Sequence, residues 1–311
     1  MHWYLTRLAI GPFPKFELTR SEFDNIKSAK IGLATILQIE EKYNILKENY
    51  AEFEKELLDI ALSHSMFTPI VWSASMEELY AVNRRLANFL TTARLYLDQV
   101  SHDLSTLYGS STSIPCDFKV MTNLEYDNSI GYRVMEALRN YIQHRKLPLV
   151  RIGYPSWWYP KPVAAGETDL PGQIRHVSVV EFSTKQLRED GGIKAAVLKE
   201  LEEKGDLLDV RPFVREYMEA LTRIHVGLRA KITADADKWT SLIKSCLERV
   251  LLPDETIRSA VIEARDEKGK IVNEVFLSHN QLERKEWLTR RNDMLPNLAK
   301  YVVSNEVRTK E

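Results

Sequence analysis

The stretch Ile36–Ile60, ILQIEEKYNILKENYAEFEKELLDI, decides the fold. Its apolar residues Ile36, Ile39, Tyr43, Leu46, Tyr50, Phe53, Leu57 and Ile60 recur at alternating steps of three and four. That period belongs to an α-helix with one narrow apolar seam, because a helical turn takes 3.6 residues. The charges around Glu52–Glu56 fall mostly off the seam. A second helix is expected from Ser75, where Ser75-Met76-Glu77-Glu78 reads as a capping box. Its stripe is Leu79, Val82, Leu86, Phe89, Ala93, Leu97, Val100 and Leu104, and Gly109 closes it. The two helices are expected to pack antiparallel through a loop around Pro69, with both stripes as core. A dimer contact through the first seam is the sharper alternative, and with it a purely structural helical oligomer.

Outward from this pair, a third helix is expected over about Gly131–Leu147. Pro148 stops it, since proline has no N–H for the ladder and disfavours helix in the residue before it. An extended run, Leu147–Ile152, follows. Then Gly153, Pro155, Pro160, Pro162, Gly166, Pro171 and Gly172 crowd together, which reads as a linker between domains. It carries Trp157, Trp158 and Tyr159, aromatics that either pin the loop to a surface or stack on RNA bases. Beyond it, His176–Phe182 alternates like a strand. Helices are expected near Thr184–Gly205, from Phe213 to about Leu252 after Pro212, and from Asn280 to about Val303 with a kink at Pro296. Ser259–Ala264 and Ile271–Leu277, bracketing Asp266-Glu267-Lys268-Gly269, read as a β-hairpin. The expectation is a mostly α chain: a helical domain over 1–152, a linker over 153–173, and an α-rich region over 174–311 with a small β-hairpin at about 258–277.

Composition removes several classes of function. The 311 residues hold 43 Lys and Arg against 44 Asp and Glu, a net charge of -1, and 44% are hydrophobic. Bulk positive charge for gripping duplex DNA is lacking. Two cysteines, Cys116 and Cys246, suit neither a zinc cluster nor a disulfide framework and are expected as reduced, buried thiols. No apolar run approaches a membrane span. The start, Met-His-Trp-Tyr-Leu-Thr-Arg, does not resemble a secretion signal, so the expected compartment is the cytoplasm. No phosphate loop, dinucleotide fingerprint, His-Glu-x-x-His or nucleophile elbow occurs, and the histidines lack metal-ligand spacing. Neither a cofactor nor a metal is expected.

One segment carries chemistry: Leu138-Arg139-Asn140-Tyr141-Ile142-Gln143-His144-Arg145. At about 100° per residue, Val134, Met135, Leu138, Tyr141 and Ile142 form one apolar face. Asn140 and His144, four apart, share the opposite face. Arg139 lies about 140° round from His144, so the two flank a polar strip containing Asn140 and Gln143. Between 133 and 151, Arg133, Arg139, Arg145, Lys146 and Arg151 stand against Glu136 alone. In a neutral chain this is a local patch that attracts anions. Read from spacing alone, these residues also fit an ordinary solvated helix face, with cations favoured at its C-terminal end. Arg94, Asp98 and His102 recur at steps of four on the second helix, as an ion-pair ladder or as the wall of the same cleft.

Arg139, Asn140 and His144 match a motif in which Arg, often followed directly by Asn, precedes His by four to six residues. With the surroundings Asn88–Leu97 and Leu138–His144, the chain resembles the HEPN superfamily (higher eukaryotes and prokaryotes nucleotide-binding) over roughly residues 30–150. The resemblance implies a metal-independent endoribonuclease, acting as a homodimer in bacterial antiviral defence or toxin–antitoxin growth control, with RNA as substrate and an antitoxin or defence protein as partner. It assigns catalysis to Arg139, Asn140 and His144. RNA contacts would come from Arg133, Gln143, Arg145, Lys146, Arg94 and His102. RNA carries its own nucleophile, the 2′-hydroxyl. His144 would move protons near neutral pH, Arg139 would clamp the phosphate, and Asn140 would orient the imidazole or bind a phosphate oxygen. Products would be a 2′,3′-cyclic phosphate and a 5′-hydroxyl. The chain departs from one subgroup: Lys146 stands where toxins controlled by a nucleotidyltransferase carry Tyr. A HEPN-like scaffold that binds RNA, nucleotide or a partner without turnover is the alternative.

Overall fold

A computed structural model describes residues 1–9, 11, 13–67, 71–159, 173–251 and 259–293. In chain order the elements are β1 (His2–Arg7), β2 (Lys15–Leu18), α1 (Arg20–Met66), α2 (Trp72–Tyr108), α3 (Ser113–Asn128), α4 (Ile130–His144), β3 (Leu149–Gly153), β4 (Ser156–Tyr159), β5 (Gln173–His176), β6 (Val179–Ser183), α5 (Thr184–Asp190), α6 (Ala195–Glu202), β7 (Leu207–Asp209), α7 (Arg211–Arg249), β8 (Ser259–Arg265), β9 (Ile271–Ser278) and α8 (His279–Arg291). The fold is mostly α with small antiparallel sheets, as the periodicity predicts. No helix among the described residues is long and apolar enough to cross a membrane.

The seam of α1 is core. Seven of its eight residues are buried and Tyr50 is half-buried. Tyr43 stacks on His225 at 3.7 Å between ring centroids, and Tyr50 packs on Phe89 at 5.8 Å. A dimer contact through this seam is therefore ruled out, because the chain covers it with its own side chains. The helix α2 begins at Trp72, not Ser75: the Ser75 N–H already bonds the Val71 carbonyl at 3.2 Å, so Ser75 is not a cap. At its far end Gly109, with φ of 88°, makes the left-handed step that L-residues with a Cβ resist. The helix α3 was not anticipated; only Pro115 and Phe118 of it are buried, too few to leave a periodic signal. The helical stretch expected over Thr184–Gly205 is broken in two by Gly191 and Gly192, both at positive φ. Cys246 is buried, and burial pushes its thiol up, but Cys116 is exposed, contrary to expectation. The helix expected beyond Arg291, the Pro296 kink and residues 160–172 lie outside the described residues.

The chain forms two compact units, and the division falls inside α1, α2, α3 and α7 rather than at 153–173. The first unit comprises 1–44, 98–119 and 225–294. Its sheet runs β2-β1-β8-β9, so the N-terminal strands, which sequence reading missed, complete the expected hairpin from the other end of the chain. One sheet face carries Leu5, Ala260, Ile262, Ala264 and Leu277. It packs on Phe23, Ile26 and Leu33 of α1, Ile243 and Leu247 of α7, and Leu282 of α8. The second unit, 45–97 and 120–224 among the described residues, holds α3's remainder, α4 and the sheet β3-β6-β7. Here β3 pairs with β6 and β4 with β5, so the segment expected to separate domains lies within one unit.

Candidate functional site on the end of α4

The motif helix is built from its first turn. Ser129 caps it: the Tyr132 N–H donates to Ser129 Oγ at 3.0 Å, and that hydroxyl donates to Glu216 at 2.8 Å. Gly131 follows because α7 passes there; a Cβ would lie 2.7 Å from the Glu216 Cβ and 2.9 Å from the Phe213 carbonyl. Val134, Met135, Leu138 and Tyr141 are buried as the periodicity predicts, and Ile142 is half-buried. Tyr132 meets Tyr217 edge-on at 4.8 Å, and Tyr217 meets Phe89 at 5.9 Å. Burial, then the neighbouring Glu136, push the Tyr217 phenol well above its ordinary value, so it stays a neutral donor. It donates to Glu136 at 2.6 Å, and Arg94 stands 3.7 Å from the same carboxylate. In this half of α4 the polar groups of Ser129, Glu136 and Tyr217 are engaged by the chain itself.

The other half opens to solvent. Asn140, Gln143 and His144 are exposed, and His144 is the last residue of the helix. The Arg145 N–H closes the turn on the Tyr141 carbonyl at 2.8 Å. Arg139 donates from Nη1 to Asn140 Oδ1 at 3.0 Å, while its Nε is buried without a hydrogen-bond partner. No carboxylate pairs with Arg139 among the described residues. A buried, unpaired guanidinium N–H is costly unless water or a ligand reaches it.

The charge excess read from the sequence is smaller in space. Arg133 donates to the carbonyls of Tyr126 and Asp127 and to Glu200 at 2.6 Å, so it ties α3, α4 and α6 together. Lys146 pairs with Asp190 at 2.8 Å, and Arg151 with Glu181 at 3.3 Å. Asp190 also accepts from the Tyr141 hydroxyl, which anchors the end of α4 on α5. Lys146 first, then Tyr141, hold Asp190 below the usual carboxylate range; burial, then Asp190, raise the Tyr141 phenol. Arg145 lies over the Gly191–Gly192 turn, 3.5 Å from where a Gly192 Cβ would be. Arg139 and Arg145 are thus the cations left for a ligand beside Asn140, Gln143 and His144.

The Arg94–Asp98–His102 ladder divides: Arg94 belongs to the second unit, whereas Asp98 and His102 belong to the first. His102 lines a groove there with Ser28, Thr35, Gln38, Asp103 and Thr106. Trp157 is exposed on β4, and the side chains of Trp158 and Tyr159 lie outside the described ones. Sequence reading counted Glu136, one turn before Asn140, only as the lone acid near the motif and missed the hydroxyl it accepts from. It also missed Tyr217 and Asp190, which reach α4 from 81 and 49 positions beyond their bonding partners and leave no local signal.

A second polar cluster lies in the first unit. Arg229 grips Glu40 through Nε at 2.6 Å and Nη2 at 2.7 Å, and Asn292 donates to the same carboxylate at 2.8 Å. The fully buried His225 stands 3.4 Å from Glu40. Burial alone would raise the Glu40 carboxyl, but the bonds from Arg229, then His225 and Asn292, outweigh it and hold the group far below its ordinary value. Comparison of the chain with protein-family models, curated proteins and solved structures returned no match.

Proposed function

We propose that the chain is a metal-independent endoribonuclease of HEPN type, a cytoplasmic homodimer that acts on RNA in growth control or antiviral defence alongside an antitoxin or defence partner. The observation that carries this reading is the guanidinium of Arg139, unpaired by any carboxylate and set beside Asn140 on a helix that ends in the exposed imidazole of His144. A phosphodiester supplies the missing partner, since planar guanidinium matches two phosphate oxygens. The RNA 2′-oxygen bonds to the adjacent phosphorus as the bond to the 5′-oxygen breaks. His144 takes the 2′-hydroxyl proton, and His144 of the other copy, in a dimer that brings the two motifs together, returns one to the departing 5′-oxygen. Arg139 neutralises charge gathering on the pentacoordinate phosphorus. Asn140, which accepts from Arg139, fixes the guanidinium rather than the imidazole.

The test is purified protein with single-stranded RNA in EDTA, with the end groups analysed. Expected products are 2′,3′-cyclic phosphate and 5′-hydroxyl ends, with DNA untouched. Cleavage that survives His144→Ala overturns the reading. One observation favours the scaffold alternative: His144 makes no hydrogen bond to a described residue, so no protein group selects its tautomer. RNA binding that falls in Arg139→Ala while RNA stays intact on long incubation decides for that alternative.

A further inference from the structure

The first unit holds an open groove of about 350 Å³ between its stretches of α1 and α2. Side-chain size explains it: Ser28 and Thr35 on α1 and Thr106 on α2 are short where a close-packed helix pair carries larger residues. Small-molecule sites occupy about 300–1,000 Å³. Both walls are polar. The α1 wall presents Ser28, Thr35 and Gln38 at steps of seven and three, one stripe of the helix, and the α2 wall presents His102 and Thr106 one turn apart. Ser28, Gln38, His102 and Thr106 make no hydrogen bond or ion pair to a described residue. Thr35 donates to the Ile31 carbonyl at 3.1 Å, so its hydroxyl oxygen is left as an acceptor. Ile31, 52% exposed, and the half-buried Leu107 supply apolar surface.

Charge and hydrogen bonding together name the class of ligand. Among the described residues Asp103 is the only acid of the lining, no Lys or Arg belongs to it, and Lys42 already pairs with Asp103. A phosphate, carboxylate or ammonium entering the groove would give up hydration with no opposite charge to receive it. A hydroxyl gives up less, because it exchanges one hydrogen bond for another. The hydroxyls of Ser28 and Thr106, the Gln38 amide and the His102 imidazole each offer a donor and an acceptor. Neighbouring hydroxyls on one ring answer that mixture, since each also donates once and accepts. The C–H face of such a ring rests on Ile31 and Leu107. In the second unit, by contrast, Arg85 takes up Glu52 and Glu56, so there the same two helices spend their polar groups on each other.

We propose that this groove binds a neutral polyhydroxylated ring, a sugar taken up free or as the ribose of a nucleoside, held by Gln38, His102 and Thr106 with Thr35 as acceptor. The groove belongs to the first unit and the motif to the second, so neither reading depends on the other. The experiment titrates the full chain with adenosine, D-ribose, D-glucose and, as a charged control, inorganic phosphate, read by calorimetry and by amide shifts over residues 28–38 and 102–107. D-ribose should bind with a Kd of about 1–10 mM, the yield of an ordinary ligand of its size. Adenosine binding more tightly with D-glucose inert makes the nucleoside the source; D-glucose binding as well as D-ribose makes it a free sugar; both support the proposal. His102→Ala and Gln38→Ala should each weaken binding about 2–10-fold. Thr106→Phe, which fills the groove, should abolish it with unchanged circular dichroism, and Arg139→Ala should leave it intact. Should Thr106→Phe fail to fold, the two alanine variants, at exposed positions, decide. No amide shift from any of the three ring compounds at about 50 mM, phosphate that displaces D-ribose, or binding that survives these groove variants or is lost in Arg139→Ala overturns the proposal. Ring compounds that bind here while RNA stays intact support the groove and overturn only the ribonuclease reading.

Discussion

The cluster around Glu40 and the motif end of α4 are made of the same residue types and arranged to opposite ends. Around Glu40, guanidinium, imidazole and amide converge on one carboxylate, which is almost wholly buried. Around Arg139, guanidinium, amide and imidazole line up on a helix end with no carboxylate among them. Taking charges out of water costs several kcal/mol per ion, so a buried set persists only when its members satisfy one another. An unmatched cation on a rigid helix has no such internal partner and is free to take an anion from outside. The first arrangement holds architecture together; the second, on the proposed function, is the one a phosphate would complete.

That contrast can be broken in order of effect. His144→Ala should lower RNA cleavage by about 10²–10⁴-fold with an unchanged melting temperature, and Arg139→Ala by about 10²–10³-fold, measured as initial rates on a labelled RNA. Arg139→Lys should not restore the rate, because an ammonium cannot make the paired contact. In the other cluster the effects exchange. Arg229→Met leaves Glu40 buried without its main partner and should cost about 3–5 kcal/mol of stability by denaturant titration, with cleavage per folded molecule unaltered. Gly131→Ala, which forces a Cβ onto Glu216, should cost about 1–3 kcal/mol and lower cleavage less than either motif change. The smallest effect is in pH. Glu40 is held below its ordinary value when folded and titrates near 4.3 when unfolded. Its contribution is whole above about pH 4.5 and is lost as pH falls further. The stability gap between the native chain and Glu40→Gln should therefore narrow from pH 6 to pH 3; a gap that widens contradicts the assigned role.

The sequence made the long helices and the phase of the motif legible, because burial of Ile36–Ile60, Leu79–Leu104 and Val134–Tyr141 follows a local 3.6-residue period. It left β1 and α3 unread, since β1 gains its place from β8 some 260 positions away and α3 buries too little to show a period. It misplaced the start of α2 because a capping box is a local pattern, and here Glu78 turns to His64 and Tyr154 instead. Five cations near the motif looked alike in sequence. Glu200, Asp190 and Glu181, all far along the chain, sort them into three that are spent and two that remain.

By itself, then, the sequence determined that the chain is mostly helical and that Asn140 and His144 share the polar face of one helix with Arg139 flanking it, because both follow from spacing along a single backbone. Only the tertiary structure decided which charges are neutralised, where the chain divides into compact units, and that Trp72, Met76 and Tyr80 stay exposed. Those outcomes depend on pairs of groups brought together from distant positions, and free energies of pairing and burial have no expression in local order.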